Sequence, residues 1–199
     1  MSETTLAASN AANNYTLKNN EDGSFAIKKA TTDVLTISSA GIITGSASST
    51  LVGNGPAFRV GLSASQSITS ATQTLVNLDT VVFDTASAFN VSTHRFSPAV
   101  AGYYQINATV AAGAASAMSR VGVIIYGVSN GVAATQLQWG TDCYPGQTTA
   151  GQASASTLVY LNGAGDYVEL RGVVTATTPV FSGGNANLCS LSGSLVRAA

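Results

Sequence analysis

The sequence predicts an all-β chain, a sandwich or jelly-roll head preceded by a short-stranded β segment, and three observations predict it. After Pro56, runs of β-branched and aromatic residues recur at fairly even intervals between Gly, Asn, Ser and Pro clusters, with almost nothing of helical period. Within "HRFSPAVAGYYQINATV" (94–110), strict alternation begins at Gly102, with Tyr104, Ile106, Ala108 and Val110 on one face and Tyr103, Gln105, Asn107 and Thr109 on the other. Only 9% of the residues are charged, against roughly 25% in an average soluble domain. The second face of the 102–110 strand therefore carries small neutral polar groups where a solvated sheet would carry Lys and Glu.

The elements follow in order. Residues 13–45 hold short β-like pieces, "YTLK", "SFAIKK", "VLTI" and "GIIT", punctuated by the turn signals "NNEDG" and "SSAG". Their apolar residues, among them Tyr15, Leu17, Phe25, Ile27 and Ile37, are too few for an independent core and need a partner. "GSASSTLVGNGP" (45–56) is rich in Gly and Ser and closes on Pro, as a linker does. The expected organisation is an N-terminal anchor and stalk at 1–50, a linker at 51–56 and a head at 57–199. In the head, "AFRVGL", "TLVNLDTVVFD", "GYYQINATVAA", "SRVGVIIYGV", "ATQLQWG", "ASTLVYLNG", "DYVELRGVV" and "NLCSLSGSLV" read as strands, about eight to ten in all. "VAAGAASAMSRVGVIIYGV" contains alanines, but its glycines and β-branched residues disfavour a helix.

Composition excludes several functions. No run approaches the roughly 18 apolar residues that a spanning helix needs, so membrane insertion is not expected. The start, "MSETTLAASNAANNYTLK", lacks a basic stretch followed by an apolar one, and no secretory signal is expected. A net charge of -1 with 8 scattered basic residues argues against nucleic acid. Cys143, Cys189 and His94, the whole complement of thiols and imidazoles, cannot form a four-ligand zinc site without carboxylates, whose spacing gives no sign of one. The cysteines are read as buried thiols or one cross-link, with free thiols favoured if the protein assembles in a reducing cytoplasm. No cofactor is expected.

Catalysis finds little support. A nucleophile needs a base, and nothing brings Cys143 to His94. Asp79, Asp84, Asp142, Asp166 and Glu169 are the carboxylates available for glycoside cleavage. Asp84 and Asp166 read better as caps on backbone amides, and Glu169 lies within a strand beside Arg171. "GVSNG" and "GNG" are turns, since no Lys-Ser/Thr follows and no helix opens there. "QLQWGTDCYPGQ", with Trp139, Asp142 and Tyr144, is the cluster with binding character: exposed aromatics among amides suit a saccharide or protein contact, and the alternative is that Trp139 fills the core.

"AFRV" (57–60), "FDTASAFN" (83–90), "RFSPAVAGYYQI" (95–106), "LVYLNGAGDYVEL" (158–170) and "LSGSLV" (191–196) come in the order seen in the complement-component-1q globular head, a family similar in fold to tumour necrosis factor. Phe96, Gly102, Tyr104, Gly165, Asp166, Gly193 and Leu195 match family positions, while Leu191 replaces the last Phe and Ala101 the Pro before the Gly. The resemblance implies a jelly-roll sandwich of about ten strands forming a trimeric head. On that implication Gln105, Asn107 and the neutral face meet two copies of themselves at a threefold axis, where like charges would collide. A monomer whose strand face lacks Lys and Glu is the alternative. Val123 and Ile125 are assigned to the trimer interface or to core packing, and Phe58, Phe83, Phe96, Tyr104, Ile106, Val168 and Leu170 to the core.

"NNYTLKNNEDGSFAIKKATTDVLTISSAGIITG" resembles the short-strand modules of bacteriophage fibre proteins, in which three chains give each strand its neighbours. Tyr15, Leu17, Phe25, Ile27 and Ile37 are assigned to the stalk or anchor contact. The expected function is that of a non-enzymatic virion protein, a trimeric capsid decoration (cement) or head-fibre protein bound to the major capsid protein or another virion protein. The alternative is a short tail fibre recognising a host surface glycan. A secreted jelly-roll ligand is a third class, disfavoured by the missing signal.

Overall fold

The computed structural model describes residues 7–8, 15–19, 24–29, 32–37, 43–45, 55–142, 150–184 and 187–199. Every regular element among them is a β-strand. The chain divides into two compact units, Met1–Asn54 and Gly55–Ala199. Residues 51–54 of the expected linker lie outside the described residues.

The first unit is an antiparallel sheet in sequence order: β1 (Ala7–Ala8), β2 (Tyr15–Asn19), β3 (Phe25–Lys29), β4 (Thr32–Ile37) and β5 (Ile43–Gly45). Its register sets Leu17 opposite Ile27, Ile27 opposite Leu35, and Phe25 opposite Ile37. Phe25, Ile27, Leu35 and Ile37 are half-buried within this unit.

The second unit is a two-sheet sandwich. Its strands are β6 (Ala57–Gly61), β7 (Gln66–Ser67), β8 (Thr74–Leu75), β9 (Thr80–Asp84), β10 (Phe89–Asn90), β11 (Arg95–Phe96), β12 (Gly102–Gly113), β13 (Arg120–Ser129), β14 (Val132–Asp142), β15 (Gly151–Leu161), β16 (Tyr167–Thr175), β17 (Val180–Phe181) and β18 (Ser190–Ala198). One sheet runs β7-β17-β12-β18-β6-β9 with β15 paired to β12, and the other runs β10-β11-β16-β13-β14 with β8 paired to β16. The stretch expected as one strand over 74–84 is broken. Val76 and Leu78 drop into the core between β8 and β9, and Val76 N–H donates to Leu170 O at 2.9 Å.

Alternation on β12 is as the pattern predicts: Tyr104, Ile106, Ala108 and Val110 are buried, while Tyr103 and Asn107 are exposed and Gln105 and Thr109 half-exposed. The core joins the sheets through aromatic rings. Phe58 of β6 stacks on Phe96 of β11 with centroids 3.9 Å apart, and Tyr104 meets the Phe96 ring edge-on at 5.7 Å. The buried Tyr104 hydroxyl donates to Val100 O at 2.7 Å. That bond, just ahead of the strand, ties the Pro-containing turn to the first residues of β12 and satisfies a group that burial would otherwise penalise. Burial also raises the Tyr104 hydroxyl above the ordinary tyrosine pKa.

One core assignment needs correction, and the pair left between trimer interface and core belongs to the core. Phe83 is 46% exposed, because it stands opposite Arg59 on the outward-facing side of β6, whereas Phe58 and Val60 point inward. Phe89 takes the place expected of it, 6.3 Å from the Phe58 ring. Val123 and Ile125 are completely buried in the chain's own core and so cannot lie at a subunit interface.

Close approach at Gly193 matches its place in the closing motif: a Cβ there would sit 2.7 Å from Gln105 O and 3.0 Å from the Phe58 ring. Gly193→Val is expected to lower stability by about 1–3 kcal/mol through overpacking, and Phe96→Ala by about 3–5 kcal/mol through loss of the stack. Urea unfolding of each variant, read at constant m, checks both values.

Candidate interaction interface

The outward face of the larger sheet is organised by register. Across β15, β12 and β18 the rows read Leu158–Gln105–Ser194, Ser156–Asn107–Ser192 and Ser154–Thr109–Ser190. Their side chains bond mainly to one another. Gln105 Nε2 donates to Ser156 Oγ at 2.8 Å and to Thr157 O at 3.2 Å, Ser156 Oγ donates to Asn107 Oδ1 at 3.0 Å, and the Thr109 and Ser154 hydroxyls are 3.3 Å apart. These bonds partner Gln105, Asn107, Thr109, Ser154 and Ser156 within neutral rows, with Leu158 56% exposed at the β15 end of the first. At one end Tyr103 lies against Tyr160, centroids 5.3 Å apart, with Arg197 opposite Tyr103 on β18. Arg59 follows on β6, its guanidinium donating to Asn187 Oδ1. No carboxylate stands on these rows.

The other expected site residues are not brought to this face. Trp139 is 38% exposed and sits opposite Ile124 on the outward side of the smaller sheet, so it does not fill the core. Its ring lies over Gly122, where a Cβ would come within 3.5 Å of Trp139 Cζ2, and the Arg120 guanidinium is 5.6 Å from the ring centroid. Asp142 ends β14, and its side chain, with Cys143 and Tyr144, lies outside the described residues. Of the anchor residues, Tyr15 and Leu17 are placed on β2 by backbone register only, and Phe25, Ile27 and Ile37 stay in the N-terminal unit.

The titratable groups have structural partners. Asp84 accepts from the N–H of Ala86 and of Phe89 at 3.2 and 2.7 Å. Asp166, almost fully buried, accepts from the N–H of Asn130, Gly131 and Asn162 at 2.6, 3.0 and 2.9 Å. The first two belong to the β13–β14 hairpin turn, whose residues Asn130 and Gly131 both have positive φ (52° and 69°), as a two-residue turn of this hand requires. His94 Nδ1 lies 2.9 Å from Leu78 O. Cys189 is a free thiol, buried and donating to Ala111 O at 3.2 Å.

Sequence reasoning placed Glu169 beside Arg171 but missed the wider cluster. Glu169 is 1% exposed, taking Arg95 Nε at 2.8 Å and Arg171 Nε at 2.7 Å. Arg95 and Glu169 are direct cross-strand partners, a pairing invisible until β11 and β16 are known to be neighbours.

Burial pushes the Cys189 thiol up to about 11, only partly opposed by its bonds to the backbone at Ala111 and Ser182. A Cys143→Ser chain at pH 8 is therefore expected to react with Ellman's reagent only after denaturation. The raised pKa also means that the thiol's contribution to stability is present below about pH 9 and is lost as pH rises towards about 11. Rapid labelling of the folded chain would contradict both.

No protein-family model matches the chain, and no curated protein matches it. Solved structures similar to it include the globular domain of zebrafish complement 1qA protein, with TM-score 0.54, 16% identity and coverage of 72% of this chain and 99% of that one. Murine APRIL, in the crystal structure at pH 5.0, gives TM-score 0.55 at 10% identity over 71% of this chain and 99% of that one. Eiger TNF from S. frugiperda gives TM-score 0.55 at 9% identity over 73% and 94%. The chain shares with these proteins the jelly-roll fold in which strands of one sheet pack across an aromatic and aliphatic core onto the other.

Proposed function

We propose that this chain is a non-enzymatic, homotrimeric structural protein of a virion surface, a capsid decoration or head-fibre protein that docks through its N-terminal unit and displays the jelly-roll head. The observation that carries the trimer is the neutral outward face of β15, β12 and β18. Around a threefold axis each of the three rows meets its own copies, and Gln, Asn, Ser and Thr with one exposed Leu do so without like-charge repulsion, Arg59 and Arg197 standing at the margins. Groups already hydrogen-bonded to one another also lose little on leaving water. The likeness to the complement and tumour-necrosis-factor-like heads supports the fold on which this arrangement rests.

The N-terminal unit supports docking. Its short strands form a single sheet whose Phe25, Ile27, Leu35 and Ile37 are only half-buried, and a lone sheet of this size is stabilised by apolar cover from another surface. Together with its resemblance to phage fibre modules, this supports attachment to the major capsid protein or another virion protein, with trimeric avidity holding the contact. Exposure of Trp139 favours a second reading, a short tail fibre whose head recognises a host surface glycan near Trp139, Asp142 and Tyr144.

Light scattering is expected to give a mass of three chains of 20.0 kDa each. Asn107→Lys is expected to give a folded monomer, because three ammonium groups would then face one another. A monomeric parent protein removes the trimer. Cosedimentation separates the two locations: saturable binding to accessory-free capsids and not to host cells supports decoration, and glycan-dependent binding to cells supports the tail fibre. Phe25→Asp is expected to abolish capsid binding while leaving the head's thermal transition unchanged.

A further inference from the structure

The outward face of the smaller sheet carries more charge than the three neutral rows, which have Arg59 and Arg197 only at their margins. Register sets Arg95, Glu169, Tyr126 and Gln136 in one row across β11, β16, β13 and β14, with Arg171, Ile124 and Trp139 in the next. Each of three arginines lies over an aromatic ring: Arg95 over Tyr167 at 3.9 Å, Arg171 over Tyr126 at 3.8 Å, and Arg120 over Trp139 at 5.6 Å. Ring stacking positions a guanidinium without neutralising it. The head contains five arginines in all, so three of them are on one face, where Glu169 is the one carboxylate among the described side chains.

That carboxylate is consumed. It lies 1% exposed between Arg95 Nε and the Nε and Nη2 of Arg171, while the two arginine side chains remain 40% and 28% exposed. Two guanidiniums sharing one carboxylate keep a net positive charge, and Arg120 adds a second whose Nε is buried without a hydrogen-bond partner. The stacked rings cover guanidinium faces, and the N–H groups that Glu169 does not take are the donors left to an acid. Beside them the exposed Trp139 ring offers the flat apolar surface on which a sugar ring packs through its C–H groups.

We propose that this face binds a saccharide bearing carboxylates, with Arg120 meeting an acid beside the sugar ring on Trp139 and Arg95 and Arg171 meeting an acid further along the sheet. A nucleic acid fits less well, since three arginines partly offset by Glu169 leave too little positive charge to follow a phosphate backbone. The face lies on the opposite side of the sandwich from the neutral rows, so the site does not depend on the trimer or on capsid docking; it shares Trp139 with the glycan reading above and narrows it to acidic sugars.

The full-length chain would be titrated calorimetrically at low salt with 3′-sialyllactose against lactose, and with trigalacturonate against galactotriose. At least one acidic sugar is expected to bind at least about tenfold more tightly than its neutral counterpart, and to weaken as salt screens the pair. Arg120→Gln is expected to reduce that affinity severalfold. Because Arg95→Gln or Arg171→Gln alone would strip a partner from a buried carboxylate, Arg95→Gln and Arg171→Gln combined with Glu169→Gln is the second variant; it is expected to reduce the preference severalfold while the melting transition shows a folded head. Equal binding of acidic and neutral sugars, no saturable binding below about 1 mM, variants that bind like the parent, or equally tight binding of a single-stranded oligonucleotide would each overturn the proposal.

Discussion

The contact on which the head depends is the ring stack between its sheets. Phe58 belongs to the larger sheet and Phe96 to the smaller, and their 3.9 Å approach fixes how the two layers register. Tyr104 and Phe89 extend the stack, and the Tyr104 hydroxyl fastens it to the turn that launches β12. With one side of β12 committed to this core, strict alternation commits Tyr103, Gln105, Asn107 and Thr109 to the opposite side. Core packing and the outward face are thus set by the same strand, and a slip of one residue would exchange them.

The low charge is explained by where the carboxylates go. Asp79 accepts from the N–H and Oγ of Ser63, Asp84 and Asp166 hold backbone amides of turns, and Glu169 is enclosed by arginines. Acidic groups in the described part of the head therefore act as local fasteners, Asp166 and Glu169 from buried positions and Asp79 from an exposed one. The Gln105, Asn107 and Thr109 rows of the β15–β12–β18 face are neutral and partly hydrogen-bonded laterally, which keeps the cost of removing them from water small. Charge scarcity is in this sense a property of placement as much as of composition.

The fold was largely legible because its signals are local. Alternation at 102–110, the Asn130-Gly131 turn and the apolar runs of β13 and β16 each specify a strand or hairpin without knowledge of the rest. Ordered motifs then supplied the fold family, which no single motif does at 16% identity. Side-chain direction was less legible wherever alternation is interrupted. The β6–β9 pairing shifts register between Arg59 and Val60, so Phe83 turns outward and Phe89 fills the core after the next turn. Val123 and Ile125 were left between interface and core because a run of five apolar or glycine positions on β13, all buried, has no polar face to orient it. The arginine cluster was hidden for a different reason: Arg95, Arg120 and Arg171 are scattered in sequence, and only the order β11-β16-β13 brings them together.

The sandwich thus separates two chemistries by the thickness of one core. One sheet presents Ser, Thr, Asn and Gln that satisfy one another, a surface suited to copies of itself because it asks nothing specific of a partner. The other presents guanidiniums held against rings, with positive charge in excess of the one carboxylate they enclose. Exchanging these roles would be unfavourable in both directions. Arginines brought to a threefold axis would repel, while neutral amides turned outward would offer an anion no charge. Even spacing of short strands builds the same sandwich in proteins 9–16% identical to this one. Specificity here therefore resides in which side of each strand carries the few charges, a choice that alternation permits without disturbing the core.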